Sequence, residues 1–101
     1  MPVKIAFNPD NAHLSVKVNA GERQEVHGSF LETLRRLVKR AKQINVDLTE
    51  LPQVDDKLLM VMEELRTLSG DSTIVLRTQK GSKTEASLKA LFENRQTIMR
   101  H

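Results

Sequence analysis

Residues 3–18 have the sequence VKIAFNPDNAHLSVKV, and this stretch decides the fold class. Apolar side chains alternate with polar or small ones on both sides of the central Asn-Pro-Asp-Asn, a pattern typical of two strands that each bury one face. Proline presets φ, and asparagine and aspartate tolerate a left-handed backbone, so the four central residues favour a turn. The stretch therefore predicts a β-hairpin with one apolar face.

A helix is predicted over residues 30–43. Ser29 and Glu32 have the spacing of a capping box at its start. Apolar residues then recur at three- and four-residue steps, which predicts one buried stripe. The predicted stripe contains Leu31, Leu34, Leu37, Val38, Ala41 and Ile44. The opposite side of this predicted helix is basic and carries Arg35, Arg36, Lys39, Arg40 and Lys42.

The rest of the chain predicts two more helices and one more strand. Residues 45–53 break the helical pattern and are interpreted as a connector. A second helix follows, with Asp55 and Asp56 at its start and Gly70 at its end. Residues 72–78 are rich in β-branched side chains and predict a middle strand. A last helix begins after Ser82 and includes Ile98 and Met99.

These elements predict one α+β domain over residues 1–101, in the order ββααβα. The expected architecture is a three-stranded, mainly antiparallel sheet with three helices packed on one face. Residues 23–27 contain Val26 as their single apolar residue and are considered only as a short polar edge strand. At 101 residues and 11.5 kDa the chain is too short for a multi-domain enzyme.

The amino-acid composition excludes several kinds of catalytic and metal-binding site. The chain has no Cys, which excludes disulfides, thiolate metal sites and cysteine nucleophiles. It also has no Trp or Tyr. Its histidines, His13, His27 and His101, have no metal-ligand spacing, and no serine lies in a G-x-S-x-G motif. We therefore expect a protein without catalytic activity, metal or cofactor. No membrane span or signal peptide is recognisable, so we predict a cytoplasmic protein without a membrane partner.

Charge is distributed in blocks, although the net charge is only +3. Residues 1–44 contain eight Lys/Arg and four Asp/Glu, residues 45–71 contain two and seven, and residues 72–101 contain six and two. The basic side of the first predicted helix is the densest cationic cluster, and we take Arg35, Arg36, Lys39, Arg40 and Lys42 as candidate partner-binding residues. Lys4, Lys17 and Arg77 are expected to share the outward face of the sheet.

The sequence thus predicts a small protein-interaction module, such as an adaptor, inhibitor or accessory factor, that presents a basic amphipathic helix to a protein partner. The alternative is a nucleic-acid-associated regulator that contacts phosphates through the basic helix at residues 30–43. The acidic second helix carries Leu59 and Met60 off its main apolar stripe, which is consistent with a homodimer through this helix. The alternative is that Met60 and Met62 pack under the connector at residues 46–53.

Overall fold

The computed structural model describes residues 3–19, 28–93 and 97–100, with only the backbone described at residues 28–30. Five strands and three helices occur in this part of the chain, and the strands form a single sheet. In chain order the elements are β1 (Val3–Asn8), β2 (His13–Val18), α1 (Gly28–Val38), β3 (Gln43–Asp47), α2 (Asp56–Leu68), β4 (Thr73–Arg77), α3 (Lys83–Leu91) and β5 (Thr97–Arg100).

The spatial order of the strands is the same as their order in the chain, β1-β2-β3-β4-β5. The pair β1 and β2 is antiparallel, whereas the pairs β2–β3, β3–β4 and β4–β5 are all parallel. Parallel crossover connections are almost always right-handed, so a sheet that never reverses its strand order receives its crossover helices on one face. Among the described residues, no helix covers the other face of the sheet.

The predicted hairpin is confirmed. Leu14, Val16 and Val18 of β2 are buried, and the intervening residues of β2 are more exposed. The turn is held by two short-range bonds, in which the Asp10 N–H donates to Asn8 Oδ1 and the His13 N–H donates to Asn11 Oδ1. Asparagine side chains stabilise turns in this way, so the local sequence alone specifies the connection.

The predicted sheet of three mainly antiparallel strands in the order ββααβα is wrong. The sheet has five strands, three of its four pairings are parallel, and the order is ββαβαβαβ. The prediction missed β3 and β5. Both are short strands that follow a helix closely, and their apolar residues extend the preceding helical pattern by chance.

The first helix ends earlier than predicted, at Val38 rather than at residue 43. Ala41 is buried in the turn that follows, and Ile44 belongs to β3. In β3 the buried Ile44 and Val46 alternate with partly exposed polar residues, which is the two-residue period of a strand. The first three residues of the segment interpreted as a connector, 45–47, therefore belong to β3, the middle strand of the sheet. The prediction had assigned the middle position to residues 72–78.

The remaining boundaries follow local chemistry. Asp55 caps α2 by accepting the Leu58 N–H, and Ser82 caps α3 by accepting the Glu85 N–H. Gly70, with a φ of 56°, follows α2 as predicted. The last helix ends at Leu91, so Ile98 and Met99 lie in β5 rather than in a helix. The edge strand considered at residues 23–27 and the capping side chain of Ser29 lie outside the described residues.

The core lies between the sheet and the helices. Strand register lines up two apolar rows that cross the sheet on its helix-covered face. One row consists of Ile5, Val16, Val46, Leu76 and Met99, and the other contains Phe7, Leu14, Ile44 and Ile74. The buried stripes of the helices close over these rows through Leu34, Val38, Leu58, Val61, Met62, Leu65 and Leu88. The helix-covered face is thus apolar, and the opposite face carries the polar half of each strand.

Candidate functional site

The predicted basic residues lie around the C-terminal end of α1. Arg35 and Arg36 are in its last turn, Lys39 and Arg40 are in the following turn, and Lys42 directly precedes β3. All five side chains are exposed. They do not form one face of a continuous helix, as the sequence predicted, because α1 has ended before Lys39. The structure nevertheless brings them to one end of α1, and we call Arg36, Lys39, Arg40 and Lys42 the α1-end patch.

The backbone under the α1-end patch is fixed. Val38 and Ala41 are buried at 1% and 6% exposure. The Arg40 N–H donates to the Leu37 carbonyl at 3.0 Å, and the Lys42 N–H donates to the Ala12 carbonyl in the hairpin turn at 2.8 Å. The turn that carries Lys39 and Arg40 is therefore anchored by backbone hydrogen bonds and by buried side chains on either side of it.

Arg35 differs from the other four cations because it forms an ion pair with another residue of the chain. Its guanidinium donates to Glu64 on α2 and forms an ion pair there. The hydrogen bond to Glu64 and the charge of Glu64 raise the pKa of Arg35 above its usual value. No ion pair within the described residues involves any member of the α1-end patch. Of the predicted site, Arg35 therefore joins α1 to α2, and the other four residues remain available to a partner.

A second surface is the side of the sheet that faces away from the helices, which we call the open face. A shallow groove of about 560 Å³ lies over its parallel strands. The groove is lined by side chains from all four of these strands, including Ser15, Asn45 and Arg77. The Gln43 side-chain amide donates to Asn45 Oδ1 at 2.9 Å, which leaves the Asn45 amide group as a donor toward the groove.

One row of charged residues crosses the open face. The register places them in neighbouring positions on successive strands, in the order Lys4, Lys17, Asp47, Arg77 and Arg100. The prediction that Lys4, Lys17 and Arg77 share the outward face of the sheet is confirmed. The prediction missed Asp47 and Arg100, because their strands were assigned to a connector and to a helix. The alternation of Ile44, Val46 and Leu48 could have indicated the strand that carries Asp47.

Asp47 is the one acidic member of this charged row. Burial raises its pKa, whereas hydrogen bonds from the Thr49 hydroxyl at 2.6 Å and the Thr49 N–H at 3.0 Å lower it. The positive charges of Lys17 and Arg77 act in the same direction, and the pKa of Asp47 lies below its usual value. Lys17 also approaches Glu50, with 3.6 Å between its Nζ and Oε2 of Glu50. Asp47 thus carries a negative charge between two cations.

Asp47→Asn should lower the free energy of unfolding at pH 7 by about 1 kcal/mol, since charged hydrogen bonds are replaced by neutral ones. A carboxylate whose pKa is lowered by folding stabilises the protein above its unfolded-state pKa, and this contribution is lost as the pH falls through the folded-state pKa. The two proteins should therefore converge in stability below about pH 4. Urea unfolding between pH 7 and pH 3 measures this, with Asp71→Asn as an exposed control. A constant difference over that range would contradict the assignment.

A third feature is the side of α2 predicted to form a homodimer. Met60 is 69% exposed, and a groove of about 500 Å³ lies between α2 and α3, with Leu59 and Leu91 in its lining and Asp56 and Glu63 among its acidic residues. The exposed methionine agrees with its predicted position off the buried stripe. The homodimer itself stays a prediction.

In residues 3–19, 28–93 and 97–100, no three His, Cys, Asp or Glu side chains are grouped so that they could hold a metal ion. None of the helices described is long and apolar enough to cross a bilayer. Comparison with protein-family models, with curated proteins and with solved structures found no match. A function is therefore assigned from the chemistry of the α1-end patch and of the charged row on the open face.

Proposed function

We propose that this chain is a small non-catalytic protein-interaction module, such as an adaptor, inhibitor or accessory factor, that holds an acidic protein partner on the α1-end patch. One observation carries the proposal. Four exposed cations without an ion-pair partner in the described part of the chain lie within seven residues at the C-terminal end of α1, where the backbone is hydrogen-bonded.

The chemistry of the α1-end patch suits carboxylates. Guanidinium groups such as those of Arg36 and Arg40 can each donate two parallel hydrogen bonds to one carboxylate, and lysines add charge without strict geometry. A concentrated positive patch also speeds the encounter with an acidic surface. Because the backbone of the supporting turn is hydrogen-bonded in the free chain, binding need not include the cost of ordering that turn.

A nucleic acid is the second candidate partner for the same patch. Four cations could neutralise several backbone phosphates, and binding of this kind weakens steeply as the salt concentration rises. The chain has no Trp or Tyr with which to stack unpaired bases. Duplex binding led by phosphate contacts is therefore the form that this alternative takes.

The Arg36→Glu/Arg40→Glu variant should lose the partner and keep its fold. We expect affinity for an acidic protein partner to fall by at least about tenfold, since close charge pairs are lost and repulsive ones are created. The melting temperature should change little, because exposed substitutions usually stay within about 0.5 kcal/mol. The measurement is a quantitative pull-down from a lysate of the source organism, identified by mass spectrometry, with and without nuclease.

Lys80→Glu/Lys83→Glu is the matched control, since it makes the same change in net charge at two exposed lysines near the start of α3. A protein retained by the wild type and the control, resistant to nuclease and lost with the α1-end variant supports the proposal. Equal capture by all three proteins would contradict it. Capture that disappears on nuclease treatment would favour the nucleic-acid alternative.

A further inference from the structure

The described residues cover the sheet with helices on one face only. Sheets of parallel strands almost always have both faces covered, whereas antiparallel sheets often leave one face in water. Here β2, β3, β4 and β5 are joined by parallel pairings, so the exposed side is unusual for this architecture. The open face is therefore a place where a covering partner is expected.

Two matched pairs of side chains occupy the open face on β4 and β5. Val75 is the register partner of Ile98, and Arg77 is the register partner of Arg100. Val75 is only 8% exposed although it faces away from the helices, whereas Ile98 is 43% exposed. Ile98 is thus the exposed apolar residue of these two strands, and the cationic pair lies two residues further along.

The cationic pair places like charges on neighbouring strands, with Asp47 beside Arg77 on the β3 side. Arg77 and Arg100 lie on adjacent strands, about 4.8 Å apart in the hydrogen-bonding direction, and like charges placed opposite each other destabilise a sheet. Neither arginine forms an ion pair within the described residues. A carboxylate placed between the two guanidinium groups would remove this repulsion and could accept bidentate hydrogen bonds. The pair is consequently better suited to a bound anion than to solvent.

The spacing of the two pairs fits a helix. Two residues along a strand advance by about 6.6 Å, and four residues along a helix advance by about 6.0 Å. A helix aligned with β4 and β5 can therefore place an apolar residue against the exposed Ile98 and, one turn away, a carboxylate on Arg77 and Arg100. Helices are also the elements that normally cover parallel sheets.

We propose that the open face over β4 and β5 is a docking surface for an acidic amphipathic helix of a protein partner. The exposed Ile98 and the Asp47 carboxylate both disfavour a nucleic-acid backbone at this position. The surface is separate from the α1-end patch, because Arg77 and Arg100 end their strands whereas Lys42 precedes the start of β3. The inference goes beyond the proposed function, since it assigns a second binding surface on another side of the molecule.

The test uses a display library of helical peptides of about 15 residues, which is about 22 Å of helix. The library is selected on the wild-type chain alone, so that the selection itself does not favour one surface. The affinities of enriched peptides for the wild type and for the Arg77→Glu/Arg100→Glu variant are then measured by fluorescence anisotropy. Arg77→Gln/Arg100→Gln replaces the first variant if the new glutamates beside Asp47 prevent folding, which circular dichroism will show. Lys80→Glu/Lys83→Glu and Arg36→Glu/Arg40→Glu are the control variants.

Enriched peptides should carry a carboxylate one turn from an apolar residue. Their affinity should fall by at least about tenfold for the Arg77/Arg100 variants, because two charge-assisted contacts are lost, and should change by less than about twofold for both controls. The inference is overturned if no peptide prefers the wild type, if the enriched peptides lack acidic residues, or if a single-stranded DNA oligonucleotide displaces them from β4 and β5. Peptides lost only with Arg36→Glu/Arg40→Glu would support the α1-end patch and overturn the docking surface on the open face.

Discussion

Leu76→Ala should lower the free energy of unfolding by about 2 to 5 kcal/mol, the largest effect that we expect from a single substitution in this chain. Leu76 is fully buried in β4, where its register partners are Val46 on β3 and Met99 on β5. Truncation there removes apolar contacts and leaves a cavity within a row that crosses the whole sheet. Because strands on both sides and helices above are already packed, little of that cavity can collapse.

Urea unfolding followed by circular dichroism measures this loss. Met60→Ala is the matched control, since Met60 is 69% exposed and its truncation should change stability by no more than about 0.5 kcal/mol. A loss below about 0.5 kcal/mol for Leu76→Ala, or equal losses for the two variants, would show that β4 does not occupy the interior of the sheet.

Thr84→Val should cost about 1 to 3 kcal/mol, although valine has nearly the same shape as threonine. Thr84 is fully buried near the start of α3, and its hydroxyl donates to the Leu51 carbonyl at 2.8 Å. This bond connects α3 to the segment between β3 and α2. Replacing the hydroxyl with a methyl group leaves the carbonyl without that donor in an environment that water does not reach.

Thr78→Val is the internal comparison for this prediction. Thr78 is 1% exposed, and its hydroxyl has no hydrogen-bond partner among the described residues. Its replacement removes a buried, unpaired polar group, so stability should stay the same or rise slightly. Thermal unfolding of both variants in parallel decides the matter. If Thr78→Val destabilised the protein more than Thr84→Val, the assignment of the two hydroxyls would be wrong.

Local chemistry was sufficient to predict several elements of the fold. The hairpin at residues 3–18, the cap of α2 at Asp55 and the cap of α3 at Ser82 each depend on side chains within a few residues of one another. Such interactions are present in the sequence as short patterns with a direct physical cause. The buried stripe of α2, with Leu58, Met62 and Leu65 at its centre, is equally local because helical periodicity repeats every turn.

The sheet could not be predicted in the same way. Ile44 continues the three- and four-residue spacing of α1, and Ile98 and Met99 continue that of α3. The apolar residues of β3 and β5 were therefore assigned to the preceding helices. What makes β3 a strand is its place between β2 and β4, whose backbones pair with it on both sides. Tertiary pairing of this kind overrides local propensity, because β propensity mainly reflects packing against neighbouring strands.

The α1-end patch could be predicted from the sequence, whereas the charged row on the open face could not. Arg36, Lys39, Arg40 and Lys42 are close in sequence, so the amino-acid order alone predicts that they cluster, although it does not predict the end of α1 at Val38. Lys17, Asp47, Arg77 and Arg100 are instead distributed over most of the chain. Only parallel crossovers in a fixed register place them next to one another on the open face.

The sequence by itself determined the buried stripe of α2, where α2 and α3 begin, and the hairpin at residues 3–18. These properties arise from contacts within about one or two turns of the chain. The tertiary structure decided how many strands the sheet has, which of them are parallel, and which charges meet across it. Strand pairing joins residues about 30 positions apart, and its free energy depends on packing that no local segment contains.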